Sequence, residues 1–217
     1  MAQIFHRNTN WISKASGVAV AVVAIVGAGV FYIIYNSPLV TGQKVKRAQP
    51  VPFSHQQHVK GLGMDCRYCH TSVETSSFAG IPPIKTCMTC HTEIKKDSPL
   101  LEPVRQAFKT DQPLKWQRVH SLPDFVYFDH SIHVQKGVGC VSCHGPVADM
   151  DVVWKEKTLH MRWCLECHKH PERNLRPREA VFSATWDPAK DSAQRTGVEL
   201  AKDYKVRSKL DCNACHR

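Results

Sequence analysis

The chain has 217 residues, a length suited to one domain or two small ones, and 29 basic against 19 acidic side chains give it a formal charge of +10. The basic residues are scattered and no recognition motif accompanies them, so a nucleic-acid partner does not explain the charge. Ten cysteines and 13 histidines are the compositional feature that needs an account.

In chain order, residues 1–15 are a polar N-terminus containing Arg7 and Lys14. Residues 16–35 are uncharged and rich in Val, Ala, Gly and Ile; about 20 such residues, rising about 1.5 Å each as a helix, cross about 30 Å of hydrocarbon. A transmembrane anchor is predicted there. A cleaved signal peptide competes, but its apolar region is normally shorter and ends in small residues, whereas Tyr35-Asn36-Ser37-Pro38 follows here. Trp11, Tyr32 and Tyr35 fall where interfacial aromatics belong. Gly17, Ala21, Ala24 and Ala28 lie close on one side, equally suited to seating a partner helix and to facing lipid.

After a linker over residues 36–52 the chain repeats itself. Phe53-Ser54-His55-Gln56-Gln57-His58-Val59 and Gly61-Leu62-Gly63 lead to Cys66; Phe128-Asp129-His130-Ser131-Ile132-His133-Val134 and Gly137-Val138-Gly139 lead to Cys140. Each half carries a pair of Cys-x-x-Cys-His motifs, which defines modules at residues 53–110 and 111–182 and a C-terminal extension at 183–217 with a fifth motif. Prolines at 82, 83, 99, 103, 113, 123, 146, 171, 177 and 188 break regular structure repeatedly. The predicted fold is one N-terminal transmembrane helix followed by a loop-rich domain of short α-helices.

All ten cysteines fall into the five motifs: Cys66/Cys69 with His70, Cys87/Cys90 with His91, Cys140/Cys143 with His144, Cys164/Cys167 with His168, and Cys212/Cys215 with His216. Two thioethers at this spacing reach the two vinyl carbons of one porphyrin edge, and the adjacent histidine turns under the ring to bind iron. A lone Cys-x-x-Cys also suits a redox dithiol or half a zinc site, but neither needs the histidine. Five c-type haems are therefore predicted as cofactors, with these five histidines as proximal iron ligands. The macrocycles then fill the core, and their propionates offset the basic charge. Covalent attachment takes place after export, which puts the haem domain on the periplasmic or outer side and the N-terminus in the cytoplasm.

Each low-spin iron also needs a distal ligand, normally His or Met. His6 lies across the predicted membrane, leaving His55, His58, His120, His130, His133, His160 and His170. The Phe-x-His-x-x-His phrase puts one histidine near its own motif and the next about one turn on, near a neighbour. His55, His58, His130 and His133 are the expected distal ligands, a propionate contact being the alternative for one of each pair. For the fifth, His120 leads, with Met161 in reserve and His160 beside it. Core packing next to Trp163 is the competing reading of Met161.

The leader phrase, glycine turn and motif resemble small trihaem and tetrahaem periplasmic cytochromes. The single anchor, the five motifs, and phrases such as Phe78-Ala79-Gly80-Ile81-Pro82-Pro83, Leu122-Pro123-Asp124-Phe125-Val126-Tyr127-Phe128 and Met161-Arg162-Trp163-Cys164 resemble the pentahaem subunit of bacterial alternative complex III over nearly the whole chain. The resemblance implies a haem wire and anchor of a quinol:electron-acceptor oxidoreductase in the inner membrane. Its partners would be polytopic membrane subunits, an iron–sulfur subunit, further cytochromes and a downstream electron carrier. The alternative is a self-sufficient membrane-anchored quinol dehydrogenase feeding a soluble reductase. A catalytic multihaem reductase is disfavoured, because all five motifs are regular and histidines suffice to close every iron.

Overall fold

The computed structural model describes residues 4–191 and 195–216, and the chain divides into two units, Met1–Gln43 and Lys44–Arg217.

In the first unit, α1 (Thr9–Asn36) has 28 residues, about 42 Å at the rise of an α-helix. An 18-residue stretch of it has a mean hydropathy of 2.6 and none of its residues is buried, so by length and composition it is able to cross a membrane. It begins seven residues before the apolar run at 16–35, because residues 9–15 contain neither Gly nor Pro to stop it. Its end follows from Pro38: the preceding Ser37 is extended (φ −74°, ψ 160°), as the proline ring demands. The last carbonyls are capped by side chains, Asn36 Nδ2 donating to Tyr32 O at 2.8 Å and Ser37 Oγ to Ile34 O at 2.7 Å. A short α2 (Pro38–Thr41) closes on Gly42, whose left-handed backbone (φ 64°) lets its N–H reach Pro38 O.

The second unit is a set of short helices: α3 (Cys66–Cys69), α4 (Ile84–His91), α5 (Glu102–Thr110), α6 (His130–Gln135), α7 (Cys140–His144), α8 (Met161–Lys169), α9 (Pro188–Asp191) and α10 (Gly197–Asp203). A π-helical turn at Gln56–Gly61 and several 3-10 turns connect them. Among the described residues there is no strand, and one isolated antiparallel bridge joins Val138 to Leu175. This is the loop-rich helical domain the prolines predict.

The protein's own core is small. Val51, Met88 and Val104 form a buried cluster where α4 packs on α5, flanked by Ile84, Leu101, Leu114 and Trp116. Met150, Leu175, Val181 and Leu200 are buried elsewhere. Among the described residues few apolar side chains are withdrawn from water for a unit of this length.

The two halves hold each other. The first histidine-bearing turn is fixed by Gln56 N–H donating to Met150 O at 2.9 Å, and the second by His130 N–H and Ser131 N–H donating to Ser77 O and Ser76 O at 3.2 Å each. Each turn is thus tethered by the other half of the duplication. At the second glycine turn, a Cβ on Gly139 would lie 2.2 Å from Arg176 Nε. Only glycine leaves room there for the buried guanidinium, which stacks on Trp186 at 4.5 Å and donates to Ala180 O and Ser183 O.

Candidate functional site

Each Cys-x-x-Cys-His motif sits on a helical turn, which puts cysteines three apart on one face and the histidine just beyond them. Motif 1 is α3, started by the Asp65 carboxylate accepting from Arg67 N–H at 2.8 Å. Motif 2 ends α4, motif 3 is α7, motif 4 lies in α8, and motif 5 forms a 3-10 turn at Cys212–Ala214. None of the ten cysteines is in a disulfide. Motifs 1 and 2 touch through Tyr68 Oη and Thr89 Oγ1 at 3.2 Å. Cys66 and Cys140, the first cysteines of motifs 1 and 3, are electrostatic neighbours.

The motif histidines are held by their Nδ1 atoms. His70 donates to Gly80 O at 2.6 Å, His91 to Ile94 O at 2.9 Å, His168 to Lys209 O at 3.0 Å and His216 to Phe125 O at 3.1 Å. A carbonyl only accepts, so Nδ1 carries the proton and Nε2 keeps its lone pair for a metal. The leader histidines follow the same rule: His58 donates to Ser54 O at 2.8 Å, His130 to Ser77 O at 2.7 Å and His133 to Asp129 O at 2.7 Å. His55 Nδ1 is buried and has no hydrogen-bond partner among the described residues.

The phenylalanine of each leader orients both histidines. Phe53 lies edge-on to His55 (4.9 Å, 89°) and stacks on His58 (4.5 Å, 26°); Phe128 repeats this with His130 (4.8 Å, 89°) and His133 (4.5 Å, 27°). The duplication is therefore reproduced in ring geometry, although the first leader is a π-turn and the second an α-helix.

Three leader–motif pairs stand at one spacing: His58–His91 at 6.2 Å between ring centroids, His130–His144 at 6.3 Å and His133–His168 at 6.1 Å. Two metal–nitrogen bonds of about 2 Å and two ring radii of about 1.1 Å put trans imidazoles about 6 Å apart, so the residues fit an iron held between each pair. His55 has His70 and His58 among its electrostatic neighbours.

Of the other sequence-predicted residues, His120 approaches His144 from a different side, its Nε2 3.3 Å from His144 Nδ1. Met161 opens α8 and is 57% exposed. His160 caps that helix immediately after Leu159, whose φ of 57° is a conformation a branched side chain seldom adopts. The backbone acceptors and the Ser76 and Ser77 tethers have no sequence signal.

Electrostatically the site favours neutral ligands. Burial, with His70 and His58 nearby, lowers the His55 pKa to about 4; burial likewise lowers His144 to about 3 and His133 below its ordinary value. Unprotonated imidazole is the form that binds metal. Burial pushes the Cys143 thiol up to about 12, and raises Cys69, Cys87, Cys164 and Cys167. These five thiols lie in desolvated surroundings of the kind a porphyrin edge occupies.

Comparison with known proteins agrees with this geometry. Residues 34–121 match the class III cytochrome c family, and residues 126–217 match cytochrome c7 and related cytochromes c. The chain is 31% identical over 144 residues to the menaquinone reductase multihaem cytochrome c subunit of Nitratidesulfovibrio vulgaris, covering 57% of this chain and 69% of that one. The high-molecular-weight cytochrome c of the same organism is 26% identical over 258 residues, 97% of this chain but 45% of the relative. Cytochrome c-552 of Porphyromonas gingivalis is 38% identical over 61 residues, 25% of this chain and 12% of the relative. This chain therefore spans less than half the length of the latter two. With Cys-x-x-Cys-His motifs throughout, paired histidines at trans spacing and this relationship, the chain belongs to the multihaem c-type cytochromes.

Proposed function

We propose that the chain binds five haems and serves as the membrane-anchored electron relay of a quinol-linked respiratory or photosynthetic complex of the alternative complex III type. The observation that carries this reading is the set of three histidine pairs at 6.1–6.3 Å, each joining a leader to an attachment motif. Bound haem supplies a one-electron ferric/ferrous couple. The protein's residues do the rest. Cys66, Cys69, Cys87, Cys90, Cys140, Cys143, Cys164, Cys167, Cys212 and Cys215 attach the porphyrins, and His70, His91, His144, His168 and His216 hold the irons from the motif side. His55, His58, His130 and His133 hold four irons from the other side. At His58, His70, His91, His130, His133, His168 and His216 the Nδ1–H bond to a backbone carbonyl locks tautomer and ring orientation.

In this reading α1 is the single-pass anchor in the inner membrane, with its N-terminus cytoplasmic and the second unit on the periplasmic side. The menaquinone-reductase relative supports a quinol-linked role, and its description as a subunit supports assembly with others. Polytopic membrane subunits and an iron–sulfur subunit supply the quinol chemistry, and a downstream carrier takes the electrons.

The test is reconstitution of the purified full-length chain in vesicles containing reduced quinone. Reduction of the chain by quinol should be slow, and should become fast when the complex purified from native membranes is used instead. Fast quinol oxidation by the isolated chain would establish the self-sufficient dehydrogenase instead.

A further inference from the structure

His144 is held differently from its counterparts. His70, His91, His168 and His216 all give Nδ1–H to a backbone carbonyl. His144 Nδ1 faces a side chain, with His120 Nε2 at 3.3 Å. The ring centroids of this pair are 4.4 Å apart at 73°, too close for a metal to stand between them, since trans imidazoles need about 6 Å. His130 meets the same His144 ring at 6.3 Å and 9°, nearly parallel and at the trans spacing. His144 thus stands at the trans spacing from His130 and turns its Nδ1 toward His120.

We propose that His120 is not an axial ligand but the hydrogen-bond acceptor that tunes the iron of the third motif by accepting the Nδ1 proton of His144. The inference rests on haem binding at His144. A metal-bound imidazole whose second N–H is given to a good acceptor gains imidazolate character and becomes a stronger donor to iron. An imidazole nitrogen is a stronger base than an amide carbonyl. Stronger donation stabilises the ferric state, so the third-motif iron has a lower reduction potential than the same iron without His120.

The chain holds His120 for this purpose with contacts remote in sequence. Gln49 and Gln117 exchange two hydrogen bonds of 3.0 Å, N–H of Gln117 to Gln49 Oε1 and Gln49 Nε2 to Gln117 O. Arg118 Nε then donates to His120 O at 3.1 Å. The imidazole is part-buried, where a hydrogen bond to a ligand is not diluted by water. With His120 engaged on His144, His160, Met161 and His170 are left as candidates for the iron of the fifth motif.

The test compares full-length haem-loaded protein with its His120→Leu and His120→Gln variants. Denaturing mass spectrometry first counts the haems. An unmodified motif 3 would refute the haem reading on which the inference rests, separately from the inference. Spectroelectrochemical titration and electron paramagnetic resonance follow. His120→Leu should shift one midpoint upward, leave the others in place and keep every haem low-spin. His120→Gln, whose amide oxygen also accepts, should restore the midpoint most of the way. A high-spin haem that binds carbon monoxide in His120→Leu would make His120 an axial ligand and overturn the proposal. Midpoints all unchanged, with haem bound at motif 3, would overturn it equally.

Discussion

His133→Ala turns one haem high-spin and open to carbon monoxide while leaving the number of attached haems unchanged. His133 stands 6.1 Å from His168 between ring centroids, and stacking on Phe128 at 4.5 Å with an Nδ1–H bond of 2.7 Å to Asp129 O leaves the ring little freedom to turn elsewhere. Alanine removes the distal nitrogen, and a five-coordinate ferric iron loses the strong axial field that keeps it low-spin. Covalent attachment is untouched, because Cys164 and Cys167 belong to a different helix from His133. The effect is on a single iron and complete, visible by electron paramagnetic resonance of the oxidised protein and by the carbon monoxide difference spectrum of the reduced one. His58→Ala should do the same to the iron of His91, its pair at 6.2 Å. A low-spin spectrum unchanged in His133→Ala would assign that residue to packing or a propionate contact.

Replacing residues 1–37 by a cleavable secretory signal should move the protein from the membrane pellet to the soluble fraction with its haem content intact. The basis is α1, which has 28 residues, an 18-residue stretch of mean hydropathy 2.6 and no buried member. A span this long and apolar holds a protein in a bilayer essentially irreversibly, far beyond what one lipid chain achieves. The attachment motifs all lie in the second unit, so their haems do not depend on the span. Retention of the truncated protein in washed membranes would instead show that the second unit, or a partner, carries the attachment.

The sequence was informative where chemistry forces a spacing. Cys-x-x-Cys-His, the run at 16–35 and the Phe-x-His-x-x-His leader are local patterns, and helix, turn and ring stacking follow from neighbours a few residues away. The loop-rich set of short helices was legible from the prolines. The start of α1 at Thr9 was not, since Asn10, Ser13 and Lys14 interrupt the apolar residues there, yet nothing in residues 9–15 breaks a helix. The π-turn of the first leader, against the α-helix of the second, is likewise invisible in two nearly matching phrases. The orientation of His120 lay furthest out of reach. Spacing ahead of the second leader made it the foremost candidate for the fifth distal position. Which ring nitrogen meets which neighbour is decided by contacts such as Gln49 with Gln117, 68 residues apart, and no local pattern encodes them.

The central claim is that every motif carries a haem. Denaturing mass spectrometry of the full-length protein matured in a host that attaches c-type haem tests it directly. The account predicts one species with the mass of the polypeptide plus five haems, and peptides in which each of the five cysteine pairs is modified. A fully matured protein with fewer than five, or with any cysteine pair free, would contradict it.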